Sequence, residues 1–269
     1  MSYSLIDPDY ESVLSGLAPW SEATLAGLPG AQCVKAAPGR LVYRVPRGGQ
    51  VFYFKRYRPR RWWRRFVPTS KGRRERLITE AAHARGLPVP RLAAYAEQAG
   101  DAFLVLTEVG PQGHLVEVLR KRRTESGATL LNSKGFVPRQ FLRRLAEFVA
   151  DLHEKGFVHD DLSALHIRLD EADRFYLIDL DHGRFLSRVP DVLRLHNLLQ
   201  LYRSMTRLSP RAVDVYRFFR YYCERVPAWR GREKLYWRRL AKAMDYRTRS
   251  ARGLFFRARY AMILRGWTR

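Results

Sequence analysis

Four ionisable side chains stand where chemistry could be done. Lys55 lies inside the very apolar run VFYFK. It is either an edge-strand lysine whose ammonium snorkels to water, or a cation aimed inward to hold phosphate oxygens. Glu75 follows on a helical stretch, where an isolated glutamate is ordinarily a solvated face residue and where Glu80 competes with it. Asp161 stands in the segment GFVHDDL, just past a helix end and before a strand. Loops held by rigid elements are where catalytic groups concentrate. Asp179 closes the apolar run FYLID, and a carboxylate in such a place must be paired or bind a cation.

Their spacing narrows the chemistry. From Asp161 to Asp179 there is room for one hairpin and no more. His166 follows Asp161 by five residues. The order His159, Asp160, Asp161, Leu162 and then His166 matches a protein-kinase-like catalytic loop, H-x-D-L-x-x-x-N, followed by a metal-binding aspartate. His166 occupies the asparagine place. No G-x-G-x-x-G run precedes Lys55; the turns offer only Gly39 and then Gly48-Gly49.

The elements that must position these groups can be read from pattern. CVKAA, RLVYRV and VFYFKRY alternate like strands around Pro38-Gly39 and a second turn at 46–49, which predicts a three-strand meander. A helix is expected from after Ser70 to the stop at Gly86 and Pro88. LAAYAE and AFLVLTEV are the next strands. Residues 110–138 read as a surface excursion. Phe141, Leu142, Leu145, Phe148, Val149 and Leu152 fall at helical spacing, ended by Gly156. HIRL and FYLID flank Asp170 to Arg174 as a hairpin, and helices are expected over 193–208, 210–225 and most of 232–265. The fold class is α+β: a two-lobed, protein-kinase-like chain with a strand-rich N-lobe (33–109) and a helical C-lobe (110–269), after a loosely packed lead-in (1–32).

Composition sets the outer limits. Of 269 residues, 46% are hydrophobic, which excludes a disordered chain. Lys plus Arg is 50 against 26 Asp plus Glu, a net charge of +24. That surplus points to polyanionic partners: nucleic acid, an anionic membrane face or phosphorylated substrates. Two cysteines exclude a disulfide framework and make the reducing cytoplasm the default compartment. The first residues do not have the layout of a signal peptide. The longest charge-free run, Ala23 to Val34, is too short to span a bilayer. His153, His159 and His166 lie close in sequence, but without a cysteine pair or an i,i+4 histidine pair they do not make a zinc site.

These pieces together resemble the lipopolysaccharide core kinases, which phosphorylate 3-deoxy-octulosonic acid (Kdo) or heptose of the inner core and have a protein-kinase-like fold. The resemblance runs over about residues 35–205. It is carried by PGR…V…R at 38–44, FYFKRY at 52–57, SKGRRE at 70–75, GLPVPRLAAY at 86–95, FLVLTE at 103–108, LHEKGFVHDDLSALHIRL at 152–169 and FYLIDLDHGRF at 175–185. Histidine in place of the loop asparagine is a habit of that family. The eleven-residue interval from Glu75 to Gly86 selects Glu75 over Glu80. Asn197 stands where the family usually has an aspartate that braces the catalytic loop from below.

The resemblance implies an ATP-dependent kinase using Mg²⁺. Lys55 would bind the α and β phosphates, held by Glu75. Asp179 would ligate Mg²⁺ with His166 assisting, or His166 would only orient Asp161 or a phosphate. Asp161 would be the base toward a sugar hydroxyl. The implied partners are the lipopolysaccharide core or a lipid A precursor and the anionic inner-membrane surface, with the protein peripheral on its cytoplasmic side; nucleic acid is the weaker fit to the charge. Two segments fit a membrane surface: the stretch around Trp62 and Trp63, dense in arginine, and the basic C-terminal stretch after Arg225. The rival readings are a catalytically weak kinase-like module that binds an anionic glycolipid or nucleic acid, and a kinase of protein or RNA-associated targets.

Overall fold

The computed structural model describes residues 3–17, 20–58, 71–98, 101–126 and 137–249. The segment around Trp62 and Trp63 and the end of the C-terminal basic stretch lie outside these residues. The chain divides into two compact units: Met1–Pro111 with Tyr176–His182, and Gln112–Phe175 with Gly183–Arg269.

The first unit is a six-stranded sheet. In chain order it contains β1 (Tyr3–Ile6), the short helices α1 (Glu11–Leu14) and α2 (Glu22–Ala26), β2 (Gln32–Ala37), β3 (Arg40–Arg47) and β4 (Gln50–Tyr57). Helix α3 (Lys71–Ala84), β5 (Leu92–Gln98) and β6 (Asp101–Thr107) follow. The strand order is β1-β5-β6-β4-β3-β2. The meander, the helix after Ser70 and the two later strands all form where the pattern places them.

Both faces of the central strands are covered, which is why AFLVL of β6 reads as a continuous apolar run, whereas the edge strand β2 is exposed. The period-2 alternation sends Phe52 and Phe54 of β4, Tyr43 and Val45 of β3, and Phe103 and Val105 of β6 to one face. That face packs against Tyr10, Leu14, Leu17, Trp20 and Leu25. The expectation of a loose lead-in therefore needs correcting. Residues 3–6 add an antiparallel strand beside β5, and the helical turns after it roof the sheet. The signal was available: Tyr10, Val13, Leu14 and Leu17 repeat at i, i+3, i+4, i+7.

The second unit is mainly helical. It opens with β7 (Gly113–His114) and α4 (Leu115–Ser126), whose Leu115, Val116 and Val118 are buried, so this part of 110–138 is more than a surface excursion. Helix α5 (Arg139–Glu154) buries the whole set predicted from spacing. After it come β8 (Phe157–His159), β9 (Ile167–Leu169), β10 (Phe175–Leu177), on which the chain crosses into the first unit, and β11 (Gly183–Phe185). Helices α6 (Asp191–Met205), α7 (Ala212–Arg225) and α8 (Glu233–Arg249) complete the unit. Helix α6 starts two residues earlier than its apolar spacing suggests, with Pro190 as the extended residue before it and the acidic Asp191 in its first turn. Among the described residues no helix is long and apolar enough to cross a membrane.

Candidate active site

In the sheet unit, one strand face carries a charged cluster. β3 and β4 pair so that Arg40 lies opposite Tyr57 and Val42 opposite Lys55. These four point away from the Phe52/Phe54 face and toward α3. Lys55 is 8% exposed and Glu75 is 0% exposed, so neither is a solvated surface residue. Lys55 Nζ lies 2.6 Å from Glu75 Oε1 and 3.7 Å from Asp179 Oδ1. The Tyr57 hydroxyl donates to Glu75 Oε2. Burial, then the neighbouring Glu75 charge, pushes the Tyr57 phenol far above its ordinary range, so it stays a donor. Glu80 instead pairs with Arg76 one turn along the helix, at 3.5 Å.

Helix α3 can reach this cluster because of Gly72. A Cβ there would lie 2.6 Å from the Cβ of Ala102 and 3.2 Å from the Tyr57 ring. Glycine lets the first turn of α3 close on the sheet, and Glu75, one turn later, then meets Lys55.

Asp179 follows β10 with φ 62°, a left-handed conformation that aspartate tolerates better than most residues. The following 3₁₀ turn, Leu180–His182, packs against α3. Asp179 receives Arg40 through both guanidinium nitrogens, Nη2 to Oδ1 at 2.6 Å and Nη1 to Oδ2 at 3.4 Å. Asp181, buried beside it, has Oδ2 3.7 Å from Arg40 Nη1. Its Oδ1 has no hydrogen-bond partner among the described residues. A buried carboxylate oxygen without a donor is a place for a cation. No group of three His, Cys, Asp or Glu that could hold a metal ion exists among the described residues. Mg²⁺ does not need one, because it commonly binds through one or two carboxylates, phosphate oxygens and water. The residues present fit that ion.

In the helical unit, the loop after β8 is built differently. Gly156, at φ 80°, ends α5; a Cβ there would collide with the Leu186 carbonyl. The chain turns directly into β8, which pairs with β11 so that Val158 lies opposite Arg184. Arg184 then ion-pairs with Asp160. Asp161 is exposed, and its carboxylate has no partner among the described residues. The loop thus distinguishes its two adjacent aspartates: one is neutralised, the other left free.

Three neutral side chains on one face of α6 fasten the loop backbone. Asn197 Nδ2 donates to the His159 carbonyl at 2.6 Å, and Asn197 Oδ1 accepts the His159 N–H at 3.3 Å. Gln200 accepts the Leu162 N–H at 3.3 Å and donates to the Asp160 carbonyl. Ser204 Oγ accepts the Ala164 N–H at 2.8 Å. Asn197 thus braces the loop as its position suggests, and it uses a donor that an aspartate lacks. Behind it stands buried His153, whose Nε2 lies 3.1 Å from Asn197 Oδ1 and whose Nδ1 lies 2.7 Å from the Tyr222 hydroxyl. Asn197 Oδ1 can only accept, so the proton is on Nε2. Burial drives the His153 pKa down to about 3 and keeps the ring neutral.

The two loop histidines take separate tasks. His159 Nδ1 accepts the Asp161 N–H at 3.2 Å. His166 Nδ1 lies 3.0 Å from the Asp161 carbonyl, which can only accept, so Nδ1 carries hydrogen.

Lys55, Glu75, Asp161, His166 and Asp179 all lie among the described residues. Lys55, Glu75 and Asp179 come together, and Asp161 shares its loop with His166. Sequence reasoning missed Arg40, Tyr57, Gln200 and Ser204. The last two could have been found, since they repeat from Asn197 at i+3 and i+7.

Comparison with known proteins finds relatives along most of the chain. Residues 43–222 match the model of the Lipopolysaccharide kinase (Kdo/WaaP) family. A 3-deoxy-D-manno-octulosonic acid kinase of Xylella fastidiosa (strain M23) is 34% identical over 195 residues, 71% of this chain and 72% of that protein. The lipopolysaccharide core heptose(I) kinase WaaP of Escherichia coli is 30% identical over 93 residues, 32% of this chain and 35% of that protein. A solved structure described as WaaP in complex with acyl carrier protein superposes with a TM-score of 0.62 at 21% identity, covering 91% of this chain and 97% of that one.

Proposed function

The chain belongs to the lipopolysaccharide kinase (Kdo/WaaP) family and is an ATP-dependent sugar kinase of lipopolysaccharide, and on that premise we propose that its acceptor is Kdo, phosphorylated at the cytoplasmic face of the inner membrane. Three relatives that each cover 69–71% of this chain bear the Kdo kinase name. The match to the heptose kinase covers a third of it.

The observation that carries the chemical reading is the contrast between Asp160 and Asp161. Only Asp161 keeps a free carboxylate. In this reading it accepts the proton of the sugar hydroxyl as that oxygen bonds to the γ-phosphorus and the bond from phosphorus to the bridging oxygen of ADP breaks. Lys55, held by Glu75, grips the α and β phosphates. Asp179 would hold Mg²⁺, which when bound would neutralise charge on the transferred group, and His166 would assist at the ion or only orient Asp161 or a phosphate. The test is direct. Protein, Mg²⁺ and ATP are incubated with Kdo-bearing lipid A and, separately, with a heptose-bearing core. Mass spectrometry should show one added phosphate on Kdo. Phosphate only on heptose overturns the acceptor, and phosphate on neither overturns the kinase reading of this site.

The inner-membrane surface is the second partner in this reading, supported by the net charge of +24. Changing Trp62 and Trp63 together to Ser should reduce binding to anionic liposomes. An acyl carrier protein is a third. The helical unit encloses an apolar cavity of about 360 Å³ lined by Phe141, Leu145, Leu198, Leu201, Phe219 and Leu240, a setting suited to an acyl chain. Capture of long-chain acylated carrier protein, but not of its unacylated form, is the expected result.

A further inference from the structure

The chain lacks a glycine-rich loop, yet its first hairpin delivers a cation to the Asp179 carboxylate. The β2–β3 turn reverses at Gly39, φ 82°, and Arg40 is the first residue of β3. Strand alternation places Arg40 on the face that carries Lys55 and Tyr57. Its guanidinium lies 5.4 Å over the Tyr57 ring and forks onto Asp179. The side chain is 16% exposed. Its Nε is buried without a hydrogen-bond partner among the described residues, as is Asp181 Oδ1.

Two fixed positive charges meet three carboxylates: Lys55 and Arg40 face Glu75, Asp179 and Asp181, and the His182 imidazole has its Nε2 3.6 Å from Asp181 Oδ1. Asp179 is shared by both cations and Glu75 is fully engaged by Lys55 and Tyr57. A divalent cation arriving at Asp179 therefore competes with Arg40, the cation at 2.6 Å, more than with Lys55 at 3.7 Å. A displaced guanidinium would carry an unused planar fork, the geometry that matches phosphate oxygens.

We propose that Arg40 is the phosphate-gripping residue the first hairpin supplies in place of a glycine-rich loop, and that without nucleotide it rests on Asp179 as a stand-in for the metal. This rests on the reading of Asp179 as the cation-binding carboxylate. It separates two effects that a merely structural arginine would not. Removing Arg40 helps the metal alone and harms the nucleotide.

The test uses the full chain and two readouts besides turnover. Arg40→Gln should weaken MgADP binding in calorimetry by about 10- to 100-fold, the worth of a charge-assisted fork. The same variant should bind Mn²⁺ alone more tightly, read as a larger rise in melting temperature at a fixed metal concentration than the parent shows. MgADP affinity equal to the parent's, or a smaller metal response, overturns the role. If Arg40→Gln does not fold, Arg40→Lys replaces it. That variant keeps the charge and loses the fork, and should still lose affinity for MgADP; unchanged affinity overturns the role. Asp179→Asn is the control that separates the two readings. If it binds MgADP as the parent does, the cation site itself is misassigned. If it fails while Arg40→Gln binds normally, only the role of Arg40 falls.

Discussion

The charged cluster of the sheet unit and the loop of the helical unit solve the placing of functional carboxylates in opposite ways. Asp179 is held by charge: Arg40 and Lys55 converge on it from two strands, and Glu75 anchors Lys55 from a helix. Asp161 is held without charge. Its carboxylate touches no described partner, and the loop that carries it is fastened through backbone groups by Asn197, Gln200, Ser204 and His159. A group that must receive a cation can be kept ready by other cations. A group that must receive a proton keeps its basicity only if no cation is bonded to it, so its positioning has to come from neutral donors and acceptors.

Breaking each half should therefore look different. Asp161→Asn is expected to lower kcat by about 10²–10⁴-fold while leaving MgADP affinity and melting temperature in place, since no structural bond is lost. A clear fall in melting temperature would show that the carboxylate is structural. In the sheet unit Glu75→Gln should do both kinds of damage. It leaves the Lys55 ammonium buried without its counter-charge, a loss on the order of 3 kcal/mol in chemical denaturation, together with weakened nucleotide binding.

pH sharpens the contrast, because the neutral brace has its own signature. His153 is held at a pKa of about 3, against about 6.5 in an unfolded chain. Folded protein thus binds fewer protons than unfolded protein between those values. The stability from this group is fully present above pH 6.5 and is lost as pH falls toward 3, by up to roughly 1.4 kcal/mol per pH unit. Denaturation of the parent across pH 4–7 should show this slope, and His153→Gln should flatten it; an unchanged slope would remove His153 as its source. The smallest expected effect is that of Asn197→Asp. Losing the amide donor leaves the His159 carbonyl unsatisfied, at about 1–3 kcal/mol. If that variant is as stable as the parent, the bond from Asn197 to the His159 carbonyl is not what fastens the loop.

Much of this was legible in the amino-acid order, for physical reasons. Strand alternation and helical spacing are local, so β3, β4, α3 and α5 fall where their residues indicate. The kinase-like intervals among Lys55, Glu75, Asp161 and Asp179 were readable because each is fixed by the elements between them. Arg40 was not readable, since one arginine among 50 basic residues is picked out only when the β3–β4 register gives its face. The division of labour between Asp160 and Asp161 was equally hidden, because it depends on Arg184, brought in by a strand 24 residues away. The lead-in was misread because its apolar stripe is broken into short turns whose partner face lies on distant strands.

That lead-in has a practical side. The family match begins at residue 43, inside β3. A chain trimmed to the matched span would lose β1, β2, part of β3 and the roof of Tyr10, Leu14, Leu17, Trp20 and Leu25, laying open Phe52, Phe54 and Phe103. It would also lose Arg40. Such a fragment is expected to aggregate when expressed, however complete its motifs. For this protein the shortest soluble unit is set by what shelters the sheet, not by where resemblance to its relatives starts.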